Sequence, residues 1–348
     1  MIRVLIVDDS AIVRSVLTEE LSKFSDIEVV GTAVDPYAAR DRIVELHPDV
    51  ITLDLEMPRM DGLSFLAKLM KYYPLPVVVV SSLTPRNSEL AIRALELGAV
   101  EVIAKPGSTY STPDVSRELI HAIRAAARST PKKRDAEAVE GKGISQKEIG
   151  LKPMGKMIAI GASTGGTTAV EEVMKKLPAI MPGIVIVQHM PEYFTKAFSK
   201  RLSEVSKMDV REAHPNDLVI PGLALVAPGN KHMIITRSGT MYKVRLKHGP
   251  RVHYQRPSVD VLFQSVAKTA GASAVGVLLT GMGADGAQGL KEMHDSGAYT
   301  IAQDEKTSTV FGMPKEAIKL GAVDKVAALQ HIPQAILRAL STEPAHSE

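Results

Sequence analysis

Short β-branched runs alternate with longer stretches of helical spacing along almost the whole chain. The first series lies at Arg3–Val7, Glu28–Gly31, Val50–Leu53, Val77–Val80 and Glu101–Ile103. Between its first two runs, Ile12, Val13, Val16, Leu17, Leu21 and Phe24 recur at helical spacing. Strands alternating with helices predict a parallel sheet covered on both faces. The runs are almost wholly apolar, as expected when both faces are buried. A second series follows at Met157–Ile160, Ile184–Val187, Leu223–Val226, Ala274–Leu279 and Tyr299–Ile301. The segment His232–Arg237, Ser238-Gly239, Thr240–Leu246 differs, and its Ser-Gly turn predicts an antiparallel hairpin. Residues 129–153 keep no period and mix charges with glycines, which predicts a flexible linker. The expected organisation is an N-terminal five-stranded parallel α/β domain (1–128), the linker (129–153) and a C-terminal doubly wound, mainly parallel α/β domain with a β-hairpin (154–346).

Composition narrows the function. A chain of 348 residues suits two domains. With no Cys, thiolate metal sites, disulfides and Cys nucleophiles are excluded, and a reducing cytoplasm is the expected location. With no Trp and 4% aromatics, platforms for stacking single-stranded nucleic acid are not expected. A net charge of +3 is too small to argue for nucleic acid, and Lys132-Lys133-Arg134 reads as a solvated linker face. Asp8 and Asp9 interrupt the first apolar run too early for a signal peptide. No run approaches the ~20 apolar residues of a membrane span.

In the first half, polar residues end four different strands. Asp8 and Asp9 follow the first, Asp54 the third, Ser81 the fourth and Lys105 the fifth. Sites in open parallel sheets lie at the carboxyl ends of strands. Three carboxylates gathered there repel one another, and a hard cation such as Mg2+ resolves that with oxygen ligands. A hydroxyl and a lysine at the same edge suit an anionic group delivered to the site. The plainer reading is that Asp8 and Asp9 cap the helix that starts near Ser10.

In the second half, Ile158-Ala159-Ile160-Gly161-Ala162-Ser163-Thr164-Gly165-Gly166 is an apolar strand followed by Gly-x-Ser-x-Gly. Small residues permit a sharp strand-to-helix turn that presents the Ser163 hydroxyl. The same turn equally suits a bound phosphate. A serine nucleophile needs a base, and His189 ends the next strand, with His232 its nearest competitor. An imidazole base needs an orienting carboxylate, and Asp285 sits in the Gly-rich loop Thr280–Gly286 after another apolar strand. That loop also offers backbone amides, Met282 among them, to an oxyanion. The order Ser, His, acid is not that of the α/β-hydrolase fold.

Residues 1–128 resemble a response-regulator receiver domain, which has a flavodoxin-like fold. The resemblance rests on Val7-Asp8-Asp9-Ser10, on Asp54-Leu55-Glu56-Met57-Pro58-Arg59-Met60-Asp61-Gly62 and on Lys105-Pro106. It implies that Asp54 accepts a phosphoryl group. Mg2+ would be held by Asp9, Asp54 and the Glu56 carbonyl, with Asp8 nearby. Lys105 would pair with the phosphoryl group, Ser81 would be the switch hydroxyl, and Lys105–Pro106 would be a cis peptide. Residues 154–346 resemble the catalytic domain of the chemotaxis protein-glutamate methylesterases. The matching blocks are Gly161–Gly166, Val187-Gln188-His189-Met190, Val226-Ala227-Pro228-Gly229, Arg256-Pro257-Ser258-Val259-Asp260 and Thr280–Gly286. This resemblance implies a Ser163 nucleophile, a His189 base and acid, an orienting Asp285, Thr164 lining the site and the Met282 amide facing the oxyanion. Arg256 and Asp260 take no chemical role and are candidates for an ion pair. The implied activity is phosphorylation-gated hydrolysis of glutamate methyl esters on the cytoplasmic helices of chemoreceptors, with receptor glutamine deamidation as a possible second reaction. The implied phosphodonor is a chemotaxis histidine kinase, and the esterase step needs no cofactor. The rival outputs are a DNA-binding or a nucleotide-binding domain. The first lacks a basic recognition helix, and the second lacks a full Gly-x-Gly-x-x-Gly.

Overall fold

A computed structural model describes residues 1–82, 84–105, 112–129 and 155–341. The chain divides into two compact units. In the first, strands β1 (Ile2–Val7), β2 (Ile27–Ala33), β3 (Val50–Leu53), β4 (Val77–Ser81) and β5 (Glu101–Ala104) alternate with helices α1 (Ala11–Ser22), α2 (Pro36–Leu46), α3 (Gly62–Tyr72), α4 (Pro85–Leu97) and α5 (Thr112–Arg128). The sheet order is β2-β1-β3-β4-β5 and every pairing is parallel. The expected five-stranded sheet is therefore present. The order reverses between β1 and β3, which opens a crevice at their carboxyl ends.

The second unit begins with β6 (Met157–Ala162), α6 (Gly166–Lys176), β7 (Gly183–Gln188) and α7 (Phe194–Val205). Five strands follow: β8 (Asp209–Glu212), β9 (Leu218–Val219), β10 (Leu223–Val226), β11 (His232–Ser238) and β12 (Met241–Lys247). The chain closes with α8 (Val259–Ala270), β13 (Ala274–Leu278), α9 (Ala287–Asp295), β14 (Tyr299–Gln303), α10 (Met313–Lys319), β15 (Lys325–Ala327) and α11 (Ile332–Ser341). The main sheet has order β15-β14-β13-β6-β7-β10-β8, all parallel. The chain winds one way from β6 through β7 and the other way from β13, so the switch point falls at β6. The expected hairpin is β11–β12, with β9 added as a third antiparallel strand.

Each unit has its own core. One joins Val4, Ile6, Val78 and Val80 to Leu119 and Ile123. The other joins Val185, Val187 and Leu225 to Met233, Val244 and Phe263. Among the described residues, no helix is long and apolar enough to cross a membrane.

Candidate functional site

In the second unit, β13, β6 and β7 are neighbours, so the loops after them share one sheet edge. Ser163 follows β6, His189 follows β7 and Asp285 lies beyond β13. The Ser163 amide donates to the Thr280 carbonyl at 3.0 Å and the His189 amide to the Ala162 carbonyl at 3.1 Å, which ties the three loops together. Gly165 has φ +75°, the left-handed conformation, and a Cβ there would lie 2.3 Å from the Thr309 hydroxyl. Only glycine makes this turn into α6 without strain.

His189 and Asp285 are both buried, and His189 Nε2 lies 2.7 Å from Asp285 Oδ2. An ionised carboxylate only accepts, so this contact places the imidazole proton on Nε2 and leaves the Nδ1 lone pair free. Nδ1 is buried and makes no hydrogen bond among the described residues. The Ser163 hydroxyl is not bonded to it in this state. Catalytic contacts of this kind are often loose without substrate.

Asp285 sits at the N-terminus of α8. Its Oδ2 also accepts from the Val259 amide at 2.7 Å. Its Oδ1 accepts from the Ser258 hydroxyl at 2.7 Å and from the Asp260 amide at 3.1 Å. Burial pushes this carboxyl up, but the hydrogen bond and charge of His189, with Ser258 and the Asp260 amide, outweigh it and hold Asp285 below the ordinary aspartate range. Ser258 had no role in the sequence reading; its signal was its place two residues before Asp260 in a recognised block.

Gln188 was also missed. It is a buried amide ending an apolar strand, and its Nε2 donates to both the Ser163 carbonyl (2.9 Å) and the His189 carbonyl (3.1 Å). The Thr164 carbonyl accepts from the Thr280 hydroxyl at 3.0 Å, and Thr164 is buried beside Ser163. Among the described residues, nothing accepts from the Met282 amide, and the flanking Gly283 has φ +89°.

Two candidates take other roles. His232 uses both ring nitrogens on backbone: the Ser258 amide donates to Nδ1 at 3.2 Å, and Nε2 lies 2.9 Å from the Pro250 carbonyl. It has no lone pair left to act as a base. The Arg256–Asp260 ion pair does not form. Arg256 donates to Asn230 Oδ1 and the Gly249 carbonyl, while Asp260 pairs with His253 and accepts from the Gly289 amide. The Asp260 carboxylate is committed to the first turn of α9 and to His253 instead.

In the first unit, Asp8, Asp9 and Asp54 bring carboxylate oxygens within 4.8 Å of one another. Lys105 Nζ lies 2.8 Å from Asp8 Oδ2 and from Asp54 Oδ2. Burial pushes Asp54 above its usual range, because one cation shared between two carboxylates does not offset it. Burial also works against the Lys105 charge, but both carboxylates together raise its pKa. The Ser81 hydroxyl is buried and has no partner among the described residues. The Glu56 side chain accepts from Asn87 at 2.9 Å through Oε2. Ser10, not Asp8 or Asp9, caps α1 by accepting from the Val13 amide. Pro106, and with it the expected cis peptide, lies outside the described residues, as does the expected linker from residue 130 onward.

A family profile described as CheB methylesterase matches residues 158–336, and one described as response regulator receiver domain matches residues 4–111. This chain belongs to the CheB methylesterase family. A protein-glutamate methylesterase/protein-glutamine glutaminase of Syntrophus aciditrophicus is 58% identical over 97% of this chain and 98% of its own length. One of Anaeromyxobacter dehalogenans is 52% identical over 97% and 94%. The crystal structure of the Thermotoga maritima CheB methylesterase catalytic domain is similar at 35% identity and TM-score 0.52. It covers 53% of this chain and 97% of that one. The CheB match occupies the half for which a DNA- or nucleotide-binding output was the alternative, and that alternative is not supported.

Proposed function

We propose that this CheB-family chain is a phosphorylation-activated protein-glutamate methylesterase in which Ser163, His189 and Asp285 perform the chemistry. The observation that carries the reading is the buried His189–Asp285 pair, whose free Nδ1 shares one sheet edge with a strand-end serine. Ser163 Oγ attacks the ester carbonyl while its proton passes to His189 Nδ1. Asp285, anchored by four donors, keeps the imidazole in the right tautomer and balances the imidazolium charge. The Met282 amide, held in its Gly-rich loop, donates to the oxyanion. Collapse breaks the ester C–O bond, and methanol leaves with the proton from His189. Water, deprotonated by His189, then hydrolyses the acyl-serine to a free glutamate. A glutamine side chain fits the same sequence with ammonia leaving, as the paired names of the relatives suggest for them.

The receiver pocket is the regulatory input. Three clustered carboxylates are a donor set that fits a hard divalent cation. Asp9, Asp54 and the Glu56 carbonyl would hold Mg2+, with Asp8 beside them, and the ion would neutralise charge on an incoming phosphoryl group. Asp54 accepts the phosphoryl group, Lys105 moves to pair with it and the unpartnered Ser81 hydroxyl donates to it. The partners are a phosphodonor kinase and the methylated helices of chemoreceptors.

The test is methanol release from carboxyl-methylated receptor membranes, with and without a small phosphodonor and Mg2+. Release should rise with the donor, lose that rise in Asp54→Ala, and fall to background in Ser163→Ala. Equal release from Ser163→Ala would remove the serine from the chemistry.

A further inference from the structure

The β11–β12–β9 sheet carries a feature that the esterase chemistry does not use. Tyr242 and Val244 of β12 point into the core. Strand alternation therefore puts Met241, Lys243, Arg245 and Lys247 on the opposite face. Arg245 and Lys247 are exposed and Lys243 is half-buried. Across the sheet they face Thr236, Ile234 and His232, and Lys243 also faces the exposed Leu218 of β9. Among the described residues, none of the three cations pairs with a carboxylate. Three lysines on the helices of this unit, Lys175, Lys291 and Lys319, do pair with an acid three or four residues away. Lys243 has strands on both sides, since β9 pairs with β12 at Tyr242 and Lys243, while Arg245 and Lys247 extend past the end of β9.

The row also has a direction. Lys247 lies opposite His232, His232 Nδ1 accepts from the Ser258 amide, and the Ser258 hydroxyl donates to Asp285. The cations thus start beside the elements that hold the catalytic carboxylate and run outward for about 14 Å, the rise of four strand residues. About nine residues of α-helix cover that length. Met241, Ile234 and Leu218 give the same face an apolar floor. Charge complementarity selects an acidic partner, and apolar floor with basic row matches an amphipathic helix.

We infer that the outer face of β12, through Lys243, Arg245 and Lys247, docks the acidic helical segment that carries the glutamate methyl ester and so sets which polypeptide reaches Ser163. This rests on the methylesterase reading, because a segment whose demethylated sites are glutamates supplies the negative charge. The row binds remote parts of the substrate and takes no part in bond making.

The experiment uses the full chain. In a Ser163→Ala background, binding of a glutamate-rich amphipathic helical peptide is measured by fluorescence anisotropy at several salt concentrations. The combined Lys243→Gln, Arg245→Gln, Lys247→Gln variant should weaken binding about tenfold and flatten its salt dependence. The corresponding Glu variant should weaken it further, and Lys243→Arg with Lys247→Arg should restore it. With Ser163 present, the ratio of kcat/KM on methylated receptor membranes to that on a small neutral glutamyl methyl ester should fall by a similar factor. Unchanged peptide affinity in both the Gln and Glu variants would overturn the inference. So would loss of binding to phosphatidylglycerol vesicles with peptide affinity intact, which would assign the row to lipid. Peptide binding that depends on the row, with no methanol release from the wild type, would defeat the methylesterase reading and leave the docking face standing.

Discussion

Ser258 holds one oxygen of Asp285 while His189 lies against the other, so removing its hydroxyl tests the carboxylate without touching the proposed base or nucleophile. A hydrogen bond to a charged group is worth about 1.5–3 kcal/mol. Ser258→Ala should therefore lower kcat about tenfold or more. It should also let the Asp285 carboxyl rise toward the ordinary aspartate value. The carboxylate stays charged at neutral pH in either protein, so the pKa change is read in acid stability. A depressed folded pKa contributes stability that is present above the unfolded value, about 3.9. That contribution is lost as pH falls through the lower folded value. The variant should unfold in acid at a higher pH than the wild type. Ser258→Thr keeps the hydroxyl and should restore both kcat and acid stability. A variant with lower kcat and unchanged unfolding in acid would mean that Ser258 supports only the cap of α8. The Ser258 block was recognised in the sequence but the residue's role was not, because that role exists only where α8 meets the 280–286 loop. The Ser163, His189 and Asp285 trio was legible because each follows its own apolar strand, and parallel pairing then brings three such ends together.

Apolar and β-branched strands were easy to read, and three short strands, two of them charged, were not. β3 and β10 were expected at their observed bounds, and Val77–Val80 and Ala274–Leu279 differ from β4 and β13 by one residue. β8 reads Asp-Val-Arg-Glu, β15 reads Lys-Val-Ala and β9 is two residues long. All three sit at sheet edges, where charges meet water and no apolar run is required. The turn into α3 shows an element fixed by a single position. A Cβ on Gly62 would lie 2.2 Å from the Asp54 carbonyl oxygen and 2.7 Å from Leu55 Cα. Backbone cannot swing aside as a side chain can, so Gly62→Ala must shift either α3 or the end of β3. Overpacking costs about 1–3 kcal/mol. The receiver unit should melt earlier by that amount in calorimetry, and stimulation by a phosphodonor should be lost because Asp54 moves with the strand end. Methanol release without the donor should persist. Normal stimulation in Gly62→Ala would show that the loop absorbs the methyl group.

At the scale of the whole molecule, two cores share no residue, and each unit binds its chemistry at its own sheet edge. Communication between them must then be a difference in free energy between two states of the chain, one favoured by phosphorylated Asp54. A differential of about 2.7 kcal/mol changes activity ~100-fold, well within what a modest interface supplies. An unphosphorylated receiver has a buried Asp54 that burial holds above its usual range, beside an acidic cluster sharing one lysine. Phosphorylation adds nearly two negative charges to that crowded pocket, and the pocket rearranges around Lys105 and Ser81. If the resting receiver restrains the esterase, deleting residues 1–150 should raise donor-free methanol release above that of the unphosphorylated full chain and abolish its response to donor. If instead the phosphorylated receiver supplies something the esterase lacks, the truncated protein should be no faster than the resting full chain. Rates for both proteins, matched by active-site titration of Ser163, decide between release from restraint and direct activation.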